Sequence, residues 1–468
     1  MDKYRKLGKN ILLLLTGNFV TKILSFLMVP FYTSILSTSD YGTADLISTT
    51  VLLVLPCFSL LMDEAIMRFV LDTSKNKKQV FSIAITVSSV GFLIAMCVSP
   101  IILLIPVLKQ YYWFVVLYYI SLWLYNIFLN YVKGLDKFSI VAIAGIIHTF
   151  VYLAINIFCL VILELGVYGY LLAIDLSNLI AAMYLFFFCG LYKDFIPIRM
   201  SELSLVKEMA LYSIPMIPDY ILWWVNNASD RYILAIFCGT GITGVYSVAY
   251  KIPTILNSIT SICSSAWKIS SVDQFGTQES LKFFNRIYRM YCSFLTITAS
   301  GLVICTKVLA KILFAKDFFE AWKITPILVL GYVFSAQAIF LGSIFTASKK
   351  TKGIFFASTA GAIVNIVLNF ILIPYLGGTG AAIATSIGYF VILNIDIILT
   401  RRILPIDFLV KRNIITYILI ILDILFILAE SIWGYLMAVV CTLIVILIHI
   451  KEFIKVVKIL LTNIRKEK

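Results

Sequence analysis

Residues 349–402 read KKTKGIFFASTAGAIVNIVLNFILIPYLGGTGAAIATSIGYFVILNIDIILTRR. The stretch contains two apolar runs of roughly 20 residues each, the length that an α-helix needs to cross a hydrocarbon layer about 30 Å thick. Lys and Arg stand at both ends of the stretch, whereas the Gly-rich turn at residues 376–380 carries neither. Because Lys and Arg collect on one side of a membrane, this pattern predicts a hairpin of two membrane-spanning helices whose ends lie on the same side.

The composition extends this prediction to the whole chain. Of the 468 residues, 61% are hydrophobic and only 13% are charged, whereas about a quarter of the residues are charged in soluble domains. We count about 14 apolar runs that are long enough to span a bilayer. The predicted fold class is therefore an all-α integral membrane protein with about 14 transmembrane helices.

The connectors between the apolar runs are alternately rich and poor in Lys and Arg. Residues 75–78 contain three lysines, whereas the turn at residues 37–40 contains no cation. The positive-inside rule then places both termini in the cytoplasm. One connector predicted on the outer side, residues 307–323, breaks the pattern with four lysines, and we expect Asp317 and Glu320 to offset them.

Two parts of the chain resemble each other, residues 133–190 and residues 347–400. Each has a basic connector, a helix that contains Asn, a Gly-rich turn and a second helix. This repeat predicts two lobes of six helices, at residues 1–200 and 201–402, followed by two extra helices and a basic cytoplasmic tail at residues 403–468. Because six is even, both lobes enter from the same side, and a pseudo-two-fold axis along the membrane normal relates them.

The sequence contains no motif for catalysis, for a metal or for a cofactor. Gly239, Gly241 and Gly244 fit the pattern GxGxxG, but they join two predicted spanning helices and not a strand and a helix. Two histidines are too few for a metal site; we expect His148 to be packed, with a proton relay as the alternative. The net charge of +14 is spread over connectors and tail, which favours anionic lipid and not nucleic acid as the partner.

All five cations predicted within the membrane fall in spans 1, 2, 7 and 8, at residues 11–36, 42–70, 209–237 and 242–270. An ionisable side chain at this depth is costly unless it is paired or wet. Helical spacing places the polar residues of each of these spans on one stripe. We therefore predict that the four stripes face a common water-filled cavity, where cations bind an anionic substrate group such as a phosphate. The predicted substrate-binding cations are Lys22, Lys251, Arg231, Arg68 and Lys268.

Acidic and amide side chains share these stripes, so the charges of the four spans nearly cancel. We predict that they line the cavity and that the acids take up a coupling ion, H⁺ or Na⁺, with Asp63 and Asp219 preferred. These polar residues are Asn18, Asp63, Asp219, Asn226 and Asp230.

Other roles for these spans stay open. Glu64 lies four residues before Arg68, so the two side chains can pair. Arg68 and Lys268 can instead extend to the inner interface. Prolines at 215, 218 and 253 are expected to bend spans 7 and 8, either as gate hinges or as structural kinks.

Two stretches resemble a known family. The opening at residues 18–42, with Pro30 and the turn Leu36-Ser-Thr-Ser-Asp-Tyr-Gly42, is one of them. The second is Asp230-Arg-Tyr-Ile-Leu followed by Gly244-Val-Tyr-Ser-Val-Ala-Tyr-Lys251. Both resemble Wzx-type oligosaccharide flippases of the multidrug/oligosaccharidyl-lipid/polysaccharide exporter superfamily.

The resemblance implies a MATE-like fold in which spans 1, 2, 7 and 8 line a central cavity. It also implies movement of an undecaprenyl-pyrophosphate-linked repeat unit from the inner to the outer leaflet of a bacterial plasma membrane, for O-antigen or capsule synthesis. The partners would be this lipid-linked oligosaccharide, the bilayer and other membrane proteins of polysaccharide assembly. Only Asp230, Arg231 and Lys251 match the family motif, and the near balance of acid and base departs from the cationic lumen that the resemblance implies.

Three other functions are considered. A multidrug antiporter of the same superfamily needs an aromatic or acidic pocket for cations, to which Trp223, Trp224, Asp219 and Asp230 can contribute. A lipid II flippase differs only in its substrate. A membrane-embedded polymerase is expected to carry a large external loop, and the sequence has no connector of that size.

Overall fold

The computed structural model describes residues 24, 26–197, 202–276, 279–350 and 352–466. Within these ranges, the side chains at residues 259, 262, 263, 265, 266, 268, 269, 272, 273 and 455–466 are not described. Asn18 and Lys22 therefore lie outside the described residues, and Lys268 is described only as a position in a helix.

The described chain is helical and contains no β-strand, which confirms the predicted all-α class. In chain order the helices are α1 Phe26–Ile35, α2 Thr38–Ser59, α3 Met62–Val70, α4 Lys77–Val98, α5 Pro106–Lys109, α6 Tyr112–Gly134, α7 Phe138–Ile157, α8 Gly166–Phe188, α9 Leu203–Ser213, α10 Ile217–Ala249, α11 Pro253–Gln274, α12 Ser280–Leu313, α13 Ala321–Ala347, α14 Lys352–Arg401, α15 Val410–Leu428 and α16 Ile432–Lys466.

Ten helical segments of the described chain are long and apolar enough to cross a membrane. Many large apolar side chains on these helices are exposed, including Leu104 at 80% and Trp113 at 72%. Such surfaces suit contact with acyl chains and not with water. The chain is a multi-pass membrane protein.

Two glycines interrupt two of the long helices. Gly377 (φ 54°, ψ −131°) interrupts α14, and Gly239 (φ 83°, ψ 169°) interrupts α10. Residues with a Cβ rarely adopt a positive φ, so glycine allows the chain to turn back at these two points. The predicted boundary between the apolar runs at 354–375 and 379–400 is confirmed by the break at Gly377.

Span 2 was predicted as one helix over residues 42–70, and this prediction was wrong. Leu60 and Leu61 have left-handed backbone conformations, with φ of 52° and 51°, so α2 ends at Ser59 and α3 begins at Met62. The predicted polar stripe of span 2, which includes Asp63, consequently does not run along one continuous helix. Leucine is a good helix former, so the sequence gives no local sign of the break.

The prolines act where the sequence predicts bends. A single turn of 3₁₀-helix, Ile214–Met216, follows α9 and contains Pro215. Span 8 was predicted as one helix over residues 242–270, but α10 ends at Ala249 and Pro253 begins α11. Proline fixes its own φ and has no N–H to donate, so it suits the first turn of a new helix.

Ion pairs between connectors agree with the predicted alternation of sides. Lys75 Nζ lies 2.6 Å from Glu208 Oε2, and both residues belong to connectors predicted on the inner side. Arg289, in the first ten residues of α12, lies 2.7 Å from Asp407, which precedes α15. At the other ends of the helices Lys307 lies 2.6 Å from Glu430.

The expected offset of the lysines in residues 307–323 is present in part. Lys323 pairs with Glu320 at 2.7 Å, and Lys307 pairs with Glu430 in a different connector. Two of the four lysines that break the charge pattern are thus neutralised by carboxylates.

The contacts divide the chain into two compact units, one up to Trp224 and one from Val225 onward. In the first unit, buried side chains of α3, α4 and α6 pack together, among them Met62, Phe81 and Tyr131. In the second unit, α13 and α14 form the most extensively packed pair of helices. Each unit thus has its own core, and the polar clusters described below lie inside these cores.

Candidate functional site

The carboxylate of Asp230 is a highly connected polar group among the described residues of the second unit. This residue lies in α10 before the break at Gly239, and only 1% of its surface is exposed. Because the chain turns back at Gly239, Tyr246 and Tyr250 return alongside it, four residues apart and therefore on one face of the helix. Both tyrosine hydroxyls donate to Asp230 Oδ2, that of Tyr250 at 3.2 Å. Thr385 in α14 donates its hydroxyl to the same oxygen, also at 3.2 Å.

Arg231 is the buried cation next to this carboxylate. Its Nη1 lies 3.5 Å from Asp230 Oδ1 and also donates to the main-chain carbonyl of Asn227. The guanidinium carbon lies 4.8 Å from the centre of the Tyr250 ring, within the range of a cation–π contact. The residue is 9% exposed. Asp230 and Arg231 therefore form a buried ion pair in which both groups have further partners.

The cluster extends along α14 through amide side chains. Asn365 donates to the Thr385 hydroxyl at 3.2 Å, and Asn369 donates to Asn365 at 3.0 Å. Tyr389 donates to the amide oxygen of Asn227 at 2.7 Å. A chain of hydrogen bonds thus links Asp230 to side chains more than a hundred residues away in sequence.

Asn226 was predicted to line a cavity. Its side-chain amide lies 3.4 Å from the carbonyl oxygen of Ser358, in the same unit as Asp230. Lys251 is half-buried and lies in the short link between α10 and α11. Arg231, Asn226 and Lys251 thus belong to the same unit as Asp230.

The predicted acids of span 2 lie at the start of α3. Asp63 and Glu64 occupy its first turn and Arg68 its last turn, an arrangement that matches the direction of the helix dipole. Glu64 Oε1 accepts a hydrogen bond from the Tyr220 hydroxyl at 3.0 Å. Arg68 is exposed, and no ion pair joins it to Glu64 in the described structure, so the predicted pairing of these two residues is not seen.

Asp219 and the two tryptophans of span 7 have different environments. Asp219 is exposed in the first turn of α10. Trp224 donates its indole N–H to the main-chain carbonyl of Thr49 at 2.7 Å, which fixes it against α2. Trp223 is 60% exposed.

A second buried polar cluster lies in the first unit and includes His148. The histidine Nε2 lies 3.1 Å from the Asn178 amide oxygen and 3.3 Å from the Ser177 hydroxyl, and its ring stacks on Tyr125. Asp175, 1% exposed, accepts from the Ser121 hydroxyl at 3.4 Å. The preferred interpretation of His148 as a packed residue agrees with these contacts.

Sequence reasoning missed several members of both clusters. Tyr246 and Tyr250 stand in the quoted family motif, but tyrosines in an apolar helix are ordinarily packing residues. Thr385 is one of many threonines, and only the fold brings it to Asp230. Asp175 does have a local signal, because it is an acid inside a predicted span. No group of three His, Cys, Asp or Glu residues in the described chain is arranged to hold a metal.

Comparisons with solved structures identify the fold. The lipid II flippase MurJ in an inward closed conformation is similar with a TM-score of 0.70 and 15% identity, over 94% of this chain and 98% of that one. An inward-facing multidrug resistance MATE family transporter of the MOP superfamily has a TM-score of 0.61 and 12% identity, over 81% and 94%. A MOP superfamily transporter from Pyrococcus furiosus has a TM-score of 0.56 and 12% identity, over 85% and 95%. The predicted MATE-like fold is confirmed.

Sequence comparison gives the family. No curated protein is similar enough in sequence to match. The family model described as polysaccharide biosynthesis protein matches residues 7–267, which is more than half of the chain. The chain therefore belongs to the polysaccharide biosynthesis protein family.

Proposed function

We propose that the protein is a flippase that moves an undecaprenyl-pyrophosphate-linked oligosaccharide repeat unit from the inner to the outer leaflet of the bacterial plasma membrane. Both termini are then cytoplasmic, and two six-helix lobes alternate access to a polar central cavity. The membership in a polysaccharide biosynthesis family and the fold of MOP transporters support this role. The observation that carries it is the buried ion pair of Asp230 and Arg231 in a membrane-spanning helix.

The chemistry of Arg231 suits a diphosphate. A guanidinium stays protonated at any physiological pH and offers a planar set of N–H donors that matches phosphate oxygens. A buried ion pair is weak evidence for stability alone, because desolvation of the two charges offsets much of their attraction. Its presence at membrane depth is better explained by a role in binding.

We infer that the substrate diphosphate competes with Asp230 for Arg231. The hydroxyls of Tyr246, Tyr250 and Thr385 already donate to the carboxylate, so it keeps partners when the guanidinium moves. A coupling ion, H⁺ or Na⁺, then replaces the lost positive charge at Asp230. Asp63 and Asp219 are alternative positions for such an ion.

Four further cations are proposed to contact the phosphates as the substrate crosses the membrane: Lys22, Lys251, Arg68 and Lys268. Lys251 has the strongest case among them because it belongs to the same motif as Arg231. The role assigned to all of them is electrostatic, and the proposed activity is transport and not catalysis.

The two transport alternatives differ in what they require of the site. An organic cation needs an accessible acid beside aromatic rings. Asp230 is buried and engaged by Arg231 and three hydroxyls, and Trp224 is tied to Thr49. Asp219 and Trp223 are exposed, so the test below includes drug export as an outcome. A lipid II flippase uses the same phosphate chemistry and is favoured by the similarity in fold to MurJ. A genetic test is needed to distinguish lipid II from an oligosaccharide repeat unit as the substrate.

The test is deletion of the gene followed by analysis of lipid-linked intermediates in each leaflet. Accumulation of a lipid-linked oligosaccharide on the inner side, reversed by the wild-type gene but not by Arg231→Gln, is the expected result. Lys311→Gln, an exposed lysine at the far end of α12, is the matched control and should restore transport. Accumulation of lipid II instead would assign the protein to peptidoglycan synthesis, and drug sensitivity without any lipid intermediate would assign it to drug export.

A further inference from the structure

A pocket of about 350 Å³ lies in the second unit, where the start of α12 meets α16. It is separate from the Asp230 cluster and shares no residue with it. The residues that line it are Lys282, Asn285, Arg286, Arg289, Met290 and Glu452.

The pocket lies at the edge of the membrane-spanning region. Helix α12 has 34 residues and is therefore about 51 Å long, well beyond the hydrocarbon thickness of about 30 Å. Its pocket cations all lie within the first ten residues, before the apolar part of the helix. Ser293, one turn further, lies 2.8 Å from His449 Nδ1 near the end of the apolar part of α16. The pocket is consequently at the level of lipid headgroups, on the side of the basic connectors.

The charges of the pocket are only partly compensated. Arg289 is held by Asp407 at 2.7 Å, and the main-chain N–H of Asp407 donates to Asn285 at 2.8 Å, which fixes one wall. Lys282 and Arg286 are four residues apart, so they share a face of α12. Both are exposed, and neither makes a salt bridge within the part of the chain that the structure describes. Glu452 supplies one opposing carboxylate, so the lining is net positive.

Apolar side chains beside the pocket distinguish a lipid from a free anion. Leu281, exposed at 37%, lies four residues before Asn285 and so shares a face of α12 with this part of the lining. Met290 forms part of the lining itself. A soluble phosphate gains nothing from these side chains, whereas the acyl chains of a phospholipid can pack on them. Basic pockets between transmembrane helices are known to bind anionic headgroups.

We propose that this pocket binds the phosphate of an anionic phospholipid, of the phosphatidylglycerol type, with Lys282 and Arg286 as its ligands and the acyl chains beside Leu281 and Met290. Glu452 opposes the phosphate and limits the affinity. The site depends neither on the transported substrate nor on the direction of transport. A lipid bound here would bridge α12 and α16.

The test measures binding of an acyl-labelled phosphatidylglycerol to the full-length protein in a neutral detergent at about 0.1 M salt. The double variant Lys282→Gln/Arg286→Gln should bind about 30-fold more weakly, since each cation near an anionic lipid surface contributes enough for about a fivefold change. Lys349→Gln/Lys350→Gln removes the same charge from exposed positions in another basic connector and should change binding by less than about threefold. Glu452→Gln should bind about fivefold more tightly.

Three outcomes would overturn the proposal. The two double variants could weaken binding equally, which would mean a diffuse effect of net charge. Glu452→Gln could weaken binding, which would mean that the carboxylate holds the ligand. An excess of inorganic phosphate could displace the labelled lipid as readily as unlabelled phosphatidylglycerol does, which would reduce the pocket to a site for free anions. The proposal would be supported by weak binding of labelled phosphatidylcholine together with the predicted order of the variants' affinities for phosphatidylglycerol.

Discussion

The ion pair of Asp230 and Arg231 leads to a quantitative prediction about stability. At 3.5 Å the Coulomb attraction is about 5 kcal/mol with an effective dielectric constant of about 20. Desolvation and the other partners of both groups reduce the net value. We therefore expect a coupling free energy of about 2 kcal/mol between the two side chains, in the upper part of the range for residues in contact.

The two single variants should lose different amounts of unfolding free energy. Asp230→Asn removes the carboxylate that faces the buried guanidinium of Arg231, and should reduce the free energy of unfolding by about 3 to 5 kcal/mol. Arg231→Gln leaves a carboxylate that still accepts three hydroxyl hydrogen bonds, so its cost should be smaller. The double variant should be more stable than the sum of the two losses implies.

The assay is unfolding of the purified protein by SDS in mixed micelles, followed by tryptophan fluorescence, for the wild type, both single variants and the double variant. These four proteins form a double-mutant cycle, and the same cycle on Lys323 and Glu320 is the matched control. This second pair is 2.7 Å apart but about half exposed, and exposed ion pairs contribute little to stability. If the losses of unfolding free energy at Asp230 and Arg231 are additive, or if their coupling free energy is no larger than that of the exposed pair, the buried ion pair does not contribute the predicted stability.

Three further results are expected. Lys22→Ala combined with Lys251→Ala should leave the protein in the membrane but trap the lipid-linked sugar in the inner leaflet; normal surface polysaccharide would reject the role of these lysines. A cysteine introduced at Lys350 should be labelled by an impermeant reagent only from the cytoplasmic side, and labelling from outside would invert the topology. Gly377→Ala should cost about 1 to 3 kcal/mol of unfolding free energy, since its φ is 54°. Gly301→Ala is the control: it lies in the regular helix α12, where an added Cβ meets open space, and it should be neutral or stabilising. Equal effects of the two substitutions would show that the positive φ of Gly377 does not matter for stability.

The sequence predicts the membrane class and many helix boundaries because these depend on local properties. Apolar runs of the right length mark the spans, and glycine and proline mark turns such as those at Gly377 and Pro253. The break at Leu60 and Leu61 could not be predicted, because leucine favours helix and the left-handed conformation is imposed by the surrounding fold. The sequence therefore predicts span 2 as one helix.

The candidate site was predictable in part. Asp230 and Arg231 stand out because burial of a charge in an apolar span is costly, and because the two residues belong to the quoted family motif. Their partners do not stand out: Tyr246 and Tyr250 face Asp230 only because the chain reverses at Gly239, and Thr385 reaches it from α14. Such long-range contacts leave no periodic pattern in a single sequence.

The proposed role of Arg231 is to bind a lipid diphosphate while it crosses the membrane. Its most direct test uses proteoliposomes that contain purified protein and a labelled polyprenyl-diphosphate oligosaccharide, with the label accessible to a reagent only in the outer leaflet. Wild-type protein should equilibrate the lipid between leaflets, Arg231→Lys should do so slowly, and Arg231→Gln should do so no faster than empty liposomes. Equal rates for wild type and Arg231→Gln would contradict it.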